Sequence, residues 1–87
     1  MRDTMPIEII FTAEHAGAAR RCQDCYIDDD DQIRDDRTHE VRLDRDYLRF
    51  AGVEEAEAWV RLARTMASRR ASSWSLQVAS LVEEAVR

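Results

Sequence analysis

The chain has 87 residues, 18 acidic and 13 basic, and a net charge of −5. That length makes one small domain, and a 45% hydrophobic content supplies one core without any run of the ~18 apolar residues a membrane span needs. Every cation is an arginine, and the acids are unevenly placed: residues 1–40 hold 11 acids against 5 arginines, residues 41–87 hold 7 against 8. An acidic chain lacks the basic surface that phosphate contacts require, so direct nucleic-acid binding is not expected. The N-terminus has no long apolar stretch and does not read as a signal peptide. A cytoplasmic setting with reduced thiols is expected, with no membrane association.

The first element is a strand over Pro6–Thr12, where Ile7, Ile9 and Phe11 alternate with Glu8 and Thr12. Ile10 breaks the alternation and implies that both faces are partly covered. Residues 13–27 admit two readings. Ala18, Cys22, Cys25 and Tyr26 fall at helical spacing, but Gly17 weakens a helix. A second strand over about Arg21–Ile27, pairing with the first, is favoured. Asp28–Asp36 is expected to be a loop, because consecutive aspartates repel one another and form helices and strands poorly.

Arg37–Phe50 reads as a strand with Val41, Leu43, Tyr47 and Phe50 as core candidates. The segment DRDYL, Asp44–Leu48, could be a turn that splits it, and Gly52 ends it. From Val53 the period becomes helical: Val53, Ala56, Val60, Ala63 and Ala67 recur at intervals of three and four, flanked by Trp59, Leu62 and Met66. Glu54, Glu55 and Glu57 suit the N-terminal end of the helix dipole, and Glu57 stands four residues before Arg61. A second stripe, Trp74, Val78, Leu81, Val82 and Ala85, follows Ser72 and Ser73 as candidate N-caps. One continuous helix would run ~50 Å, too long for this domain, so a break is expected between Ser68 and Ser73. A single rod would instead imply a coiled-coil homodimer. The order of elements gives an α+β fold, a small antiparallel sheet of two to four strands followed by two C-terminal helices packed on one face. Both tryptophans are assigned to the core.

Three constellations invite chemistry. Cys22 and Cys25 form a C-x-x-C pair, with His15 and His39 as the only histidines that could complete a zinc tetrahedron. Neither histidine belongs to a second knuckle, and acids beside the thiols oppose redox activation. No cofactor or metal is therefore assigned, and a zinc-binding adaptor using Cys22 and Cys25 is kept as an alternative. His15 beside Glu14 and His39 beside Glu40 assemble no catalytic triad, so the chain is read as non-enzymatic. The run DDDDQIRDD fails as a calcium loop: counted from Asp28, its sixth position is Ile33 and its twelfth His39.

That run, with Asp24, is the candidate partner-binding surface: Asp24, Asp28, Asp29, Asp30, Asp31, Asp35 and Asp36. It lies inside the chain, and Arg34 and Arg37 do not outweigh it. Arg42, Arg45 and Arg49 interleave with Asp44 and Asp46 and read as cross-strand pairs or a mixed rim. Arg61, Arg64, Arg69 and Arg70 would make an opposing, basic surface, but Glu54, Glu55 and Glu57 share their helix. The expected partner is a larger protein with a basic surface, for example one that binds nucleic acid, with the chain acting as inhibitor or adaptor. In size and charge the chain resembles small acidic phage-encoded inhibitors such as anti-CRISPR proteins, some of which act by DNA mimicry; no motif carries the likeness. A homo-oligomeric structural subunit is the remaining alternative.

Overall fold

A computed structural model describes residues 6–13, 18–70 and 73–87, without the side chains of residues 67–70 and 73. The elements in chain order are β1 (Ile7–Thr12), β2 (Cys25–Ile27), β3 (Ile33–Asp35), β4 (Arg45–Phe50), α1 (Val53–Arg70) and α2 (Ser73–Ala85). This is the α+β arrangement of strands followed by two helices. The strands form two antiparallel pairs instead of one sheet: β1 with β4, and β2 with β3.

The β1–β4 ladder runs from Ile7 opposite Phe50 to Thr12 opposite Arg45. Side chains alternate across a strand, so this register sorts the residues by face. Ile7, Ile9, Phe11, Leu48 and Phe50 share one side; Glu8, Ile10, Tyr47 and Arg49 share the other. Residues 20–22 lie antiparallel along the free edge of β1. There the Cys22 N–H donates to the Ile10 carbonyl at 2.7 Å and the Thr12 N–H to the Arg20 carbonyl at 2.9 Å. The strand expected over Arg21–Ile27 is thus divided. Arg21 bridges Phe11, Gln23 and Asp24 bend the chain, and only Cys25–Ile27 continues as strand. No helix forms in the described part of residues 13–27.

The helices cover the Ile9 face. Ile9, Phe11 and Phe50 are buried with Ala56 and Val60 of α1 and with Val78, Ala79 and Val82 of α2. Ala56 and Ala79 are fully enclosed; with side chains that small, the backbones can approach closely. Ala79 escaped the sequence reading, which followed the larger residues of the stripe. Trp59 and Trp74 are half-buried and packed on this core. Trp59 meets Phe50 with ring centroids 5.8 Å apart, and Trp74 meets Phe11 at 6.3 Å, within the usual range for tilted aromatic pairs. α1 ends at Arg70 and α2 begins at Ser73, so the break falls inside the expected interval. Ala67 as a core position and Ser72 and Ser73 as caps lie outside what is described. Across the outer face, Arg64 reaches Glu83 at 2.7 Å.

Ile10 confirms that the second face of β1 is covered: it is buried although it points away from the helices. The β2–β3 pair lies on that side. Asp31 meets Arg49 at 3.5 Å, and Ile10 shares a groove with Cys25, Tyr26 and Ile27.

The long strand expected over Arg37–Phe50 is corrected. Residues 36–38 form a turn, Val41 makes a single bridge to Arg34, and Leu43 and Asp44 form a second turn. Only Arg45–Phe50 is strand, so most of DRDYL lies within β4 and its turn lies just upstream. Val41 and Leu43 leave the core accordingly; Leu43 is 90% exposed. Their hydrophobicity was legible, but the turns that rotate them outward were not. Val53, Leu62 and Met66 are likewise exposed on α1.

Ile9→Ala should lower unfolding free energy by about 2–5 kcal/mol, as expected for emptying a fully buried site. Leu43→Ser should change it by less than about 0.5 kcal/mol. Urea titrations followed by circular dichroism measure both.

Candidate acidic site

Two aspartates organise the acidic region, each by holding the turn that follows it. The Asp28 carboxylate Oδ1 accepts the N–H groups of Asp30 and Gln32, both at 2.9 Å. Its other oxygen, Oδ2, accepts Nε of Arg34. The backbone closes around it: Asp28 N–H donates to the Gln32 carbonyl at 2.9 Å and Asp31 N–H to the Asp28 carbonyl at 3.0 Å. Seven residues later Asp35 repeats the device. Its Oδ1 accepts N–H from Arg37 at 2.8 Å and Thr38 at 3.2 Å, and its Oδ2 faces Arg42 at 3.3 Å. Each turn contains one residue at φ 61°, Asp31 and His39. Asp and His are among the non-glycine types found most often in that conformation.

Between the turns lies a short ladder: Cys25 opposite Asp35, Tyr26 opposite Arg34 and Ile27 opposite Ile33. Residues 40–42 add a third, irregular edge, with Asp35 N–H donating to the Glu40 carbonyl at 2.9 Å and Arg42 N–H to the Ile33 carbonyl at 2.7 Å. The expected loop over Asp28–Asp36 is therefore a turn followed by a strand. Ile33 is the residue that decides it. It is buried, and anchoring it brings Arg34 and Asp35 into the ladder. Aspartate repulsion, which suggested a solvated loop, is relieved locally because Asp28 and Asp35 are neutralised.

The statement that Arg34 and Arg37 leave the run uncompensated is corrected for Arg34, which is bound to Asp28 and also donates from Nη1 to the His39 carbonyl at 2.7 Å. The arginines of the mixed rim are committed too. Arg42 and Arg45 both hold Asp44, at 3.1 and 2.7 Å, and Arg49 holds Glu8 directly opposite it at 2.7 Å. The Nε of Arg45 is enclosed without an acceptor, a desolvation cost that the pairing of its outer nitrogen with Asp44 offsets.

The seven candidate residues thus divide. Asp28 and Asp35 are half-buried and internally bonded. Asp31 is exposed but lies within reach of Arg49. Asp24, Asp29, Asp30 and Asp36 are exposed and have no ion-pair partner among the described residues. They are also not one patch. Asp36 N–H donates to the Asp24 carbonyl at 3.0 Å, so those two residues are neighbours at one end of the hairpin. Asp29 and Asp30 occupy the other end, roughly 14 Å away at ~3.4 Å per residue.

Cys22 and Cys25 are not bridged to each other, are half-buried and line one groove of about 380 Å³ with Glu8 and Ile10. Burial pushes the Cys25 thiol up, and the carboxylate of Asp24 and the neighbouring Cys22 add to it against Arg42 and Arg45. Among the described residues no group of three or more His, Cys, Asp or Glu is placed to hold a metal ion; His15 and Glu14 lie outside them. His39 is engaged with Tyr26, whose hydroxyl is 2.9 Å from Nδ1. No helix among the described residues is long and apolar enough to cross a membrane. Compared with family models, curated proteins and solved structures, the chain matches none.

The Arg34 guanidinium and the turn N–H groups hold the Asp28 carboxyl below its ordinary value of 3.8, and the turn N–H groups, helped by Arg42, do the same for Asp35. Depressed folded-state values mean that both contributions are complete above pH 3.8 and are lost as the pH falls below it, through the folded-state values. Amide shifts of Gln32 and Arg37 should therefore stay constant from pH 7 to about 5 and move together only below the ordinary carboxylate range. Asp28→Ala should speed hydrogen exchange at Gln32, whereas Asp29→Ala should leave it unchanged.

At pH 8, Asp24→Asn should increase the alkylation rate of Cys25 by iodoacetamide, because removing the neighbouring charge favours the thiolate. Mass spectrometry of the two alkylated sites reads the rate.

Proposed function

We propose that the protein is a non-enzymatic binding module, an inhibitor or adaptor, that sets its acidic hairpin against a basic surface of a larger protein. The observation that carries this reading is the division of labour within the run. Asp28 fixes the turn, and the turn holds Asp29 and Asp30 in solvent with no ion-pair partner among the described residues. Their repulsion is left for a cationic counterpart to relieve. The arginines of the strands cannot relieve it, because Arg34, Arg42, Arg45 and Arg49 already hold other acids. Asp24 and Asp36 add a second contact at the far end of the hairpin. In this reading Asp28 and Asp35 position the surface and do not touch the partner. A groove that binds nucleic acid is one surface of the required sign, since it is built to receive phosphates. The reading places the protein with its partner in the cytoplasm.

A second reading, self-association, draws on the exposed Leu62 and Met66, one turn apart on α1. Sedimentation at rising concentration separates the two: a monomer throughout removes self-association.

The main reading is tested by affinity capture from the native host at about 0.05 and 0.5 M salt, conditions that shorten the screening length from ~14 to ~4 Å. Captured protein should fall at least tenfold at the higher salt. The double substitution D29S/D30S should lose it at low salt while keeping the wild-type circular dichroism. Retention under either condition rejects the acidic tip as the contact.

A further inference from the structure

On the opposite side of the molecule, a cleft of about 280 Å³ opens where the end of the β1–β4 sheet meets both helices. Its walls are Phe11, Leu48, Trp59, Trp74 and Val78, and a single acid, Asp46, stands among them. Asp46 is directly opposite Phe11 in the ladder and therefore projects to the helix-covered face. Its Oδ1 accepts the N–H of Tyr47 at 2.8 Å. It has no guanidinium partner among the described residues, although Asp44, Arg45 and Arg49 beside it on the same segment are all paired.

We propose that this cleft binds a small free organic cation with an apolar body, its ammonium group at Asp46 and its body between Trp59 and Trp74. The volume sits just below the ~300–1,000 Å³ range of small-ligand sites, and an apolar wall with one convergent polar group is their usual composition. The charge of the ligand follows from the two kinds of wall. Indole and phenyl faces attract cations through their ring quadrupoles, and a carboxylate beside them adds a point charge of the same preference. An anion would meet repulsion from both. A neutral apolar ligand would desolvate Asp46 without giving it a counter-charge. The site is independent of the acidic hairpin, which covers the other face of the β1–β4 sheet.

The probe is benzyltrimethylammonium, titrated into the whole chain while the indole N–H resonances of Trp59 and Trp74 are followed by NMR. Both indoles should shift and saturate. D46N, a substitution at an exposed position, should weaken binding at least about fivefold. Neopentylbenzene, the neutral isostere, should bind the wild type at least as much more weakly, and D46N should not weaken it. Three results would overturn the proposal: no saturation below about 10 mM, unchanged affinity in D46N, or equal affinity for the neutral isostere. The last would mark an apolar crevice only. A D46N spectrum that otherwise overlays the wild type ensures that lost binding is not lost structure.

Discussion

Everything on the acidic side of this molecule depends on a carboxylate accepting two backbone N–H groups of the turn just after it. A short side-chain acceptor is well suited to this, because it satisfies donors that a tight turn leaves without ladder partners. Asp28 and Asp35 both do so, and each then receives an arginine from further along the chain, Arg34 and Arg42. The result is that a segment with a three-residue ladder, too short to be stable alone, acquires two fixed ends. It also gains a third edge at residues 40–42 and a seat against the Ile10 face of β1.

The same pairing rule organises the strands beside it. Arg49 sits opposite Glu8 in the ladder and over the ring of Tyr47, 5.5 Å from its centre. Such half-exposed pairs add little stability individually; their larger effect is on where charge remains. By engaging Arg34, Arg42, Arg45 and Arg49 internally, the fold leaves Asp24 and Asp36 at one end of the hairpin, and Asp29 and Asp30 at the other, without an ion-pair partner among the described residues. Net charge alone states that a surplus exists, and only the register says where it goes.

Much of the architecture was legible. The period-two pattern of Ile7, Ile9 and Phe11 and the helical stripes after Gly52 gave β1, α1, α2 and the break between the helices. These are long-period signals that survive local detail. The middle of the chain was not legible, because turns there are set by single hydrogen bonds. Leu43 and Val41 look like strand-core residues until the turns at 36–38 and 43–44 are known to reverse the chain around them. The acidic run hid β3 for a related reason: its average composition is that of a loop, while the buried Ile33 and the arginine after it make a strand. A signal was present, since Ile33-Arg34 interrupts the aspartates with an apolar residue and a cation. The cleft at Asp46 had no comparable signal; it arises from the register that turns this acid toward the helices.

The separation of anchoring from exposed carboxylates also bears on how a run of acids is tolerated in so small a fold. Four consecutive aspartates, Asp28–Asp31, would repel one another in any compact state, and salt would ease that only for those in contact with solvent. Here the first is held by hydrogen bonds and a guanidinium, and the last lies within reach of Arg49, so the run is pinned at both ends. The two between them are exposed and have no ion-pair partner among the described residues. Removing a pinned residue disturbs the turn, whereas removing a free one relieves repulsion without breaking a bond. A sequence under pressure for stability alone has no use for Asp29 and Asp30; under the proposed function, their place at the tip of a braced hairpin makes that tip the contact surface.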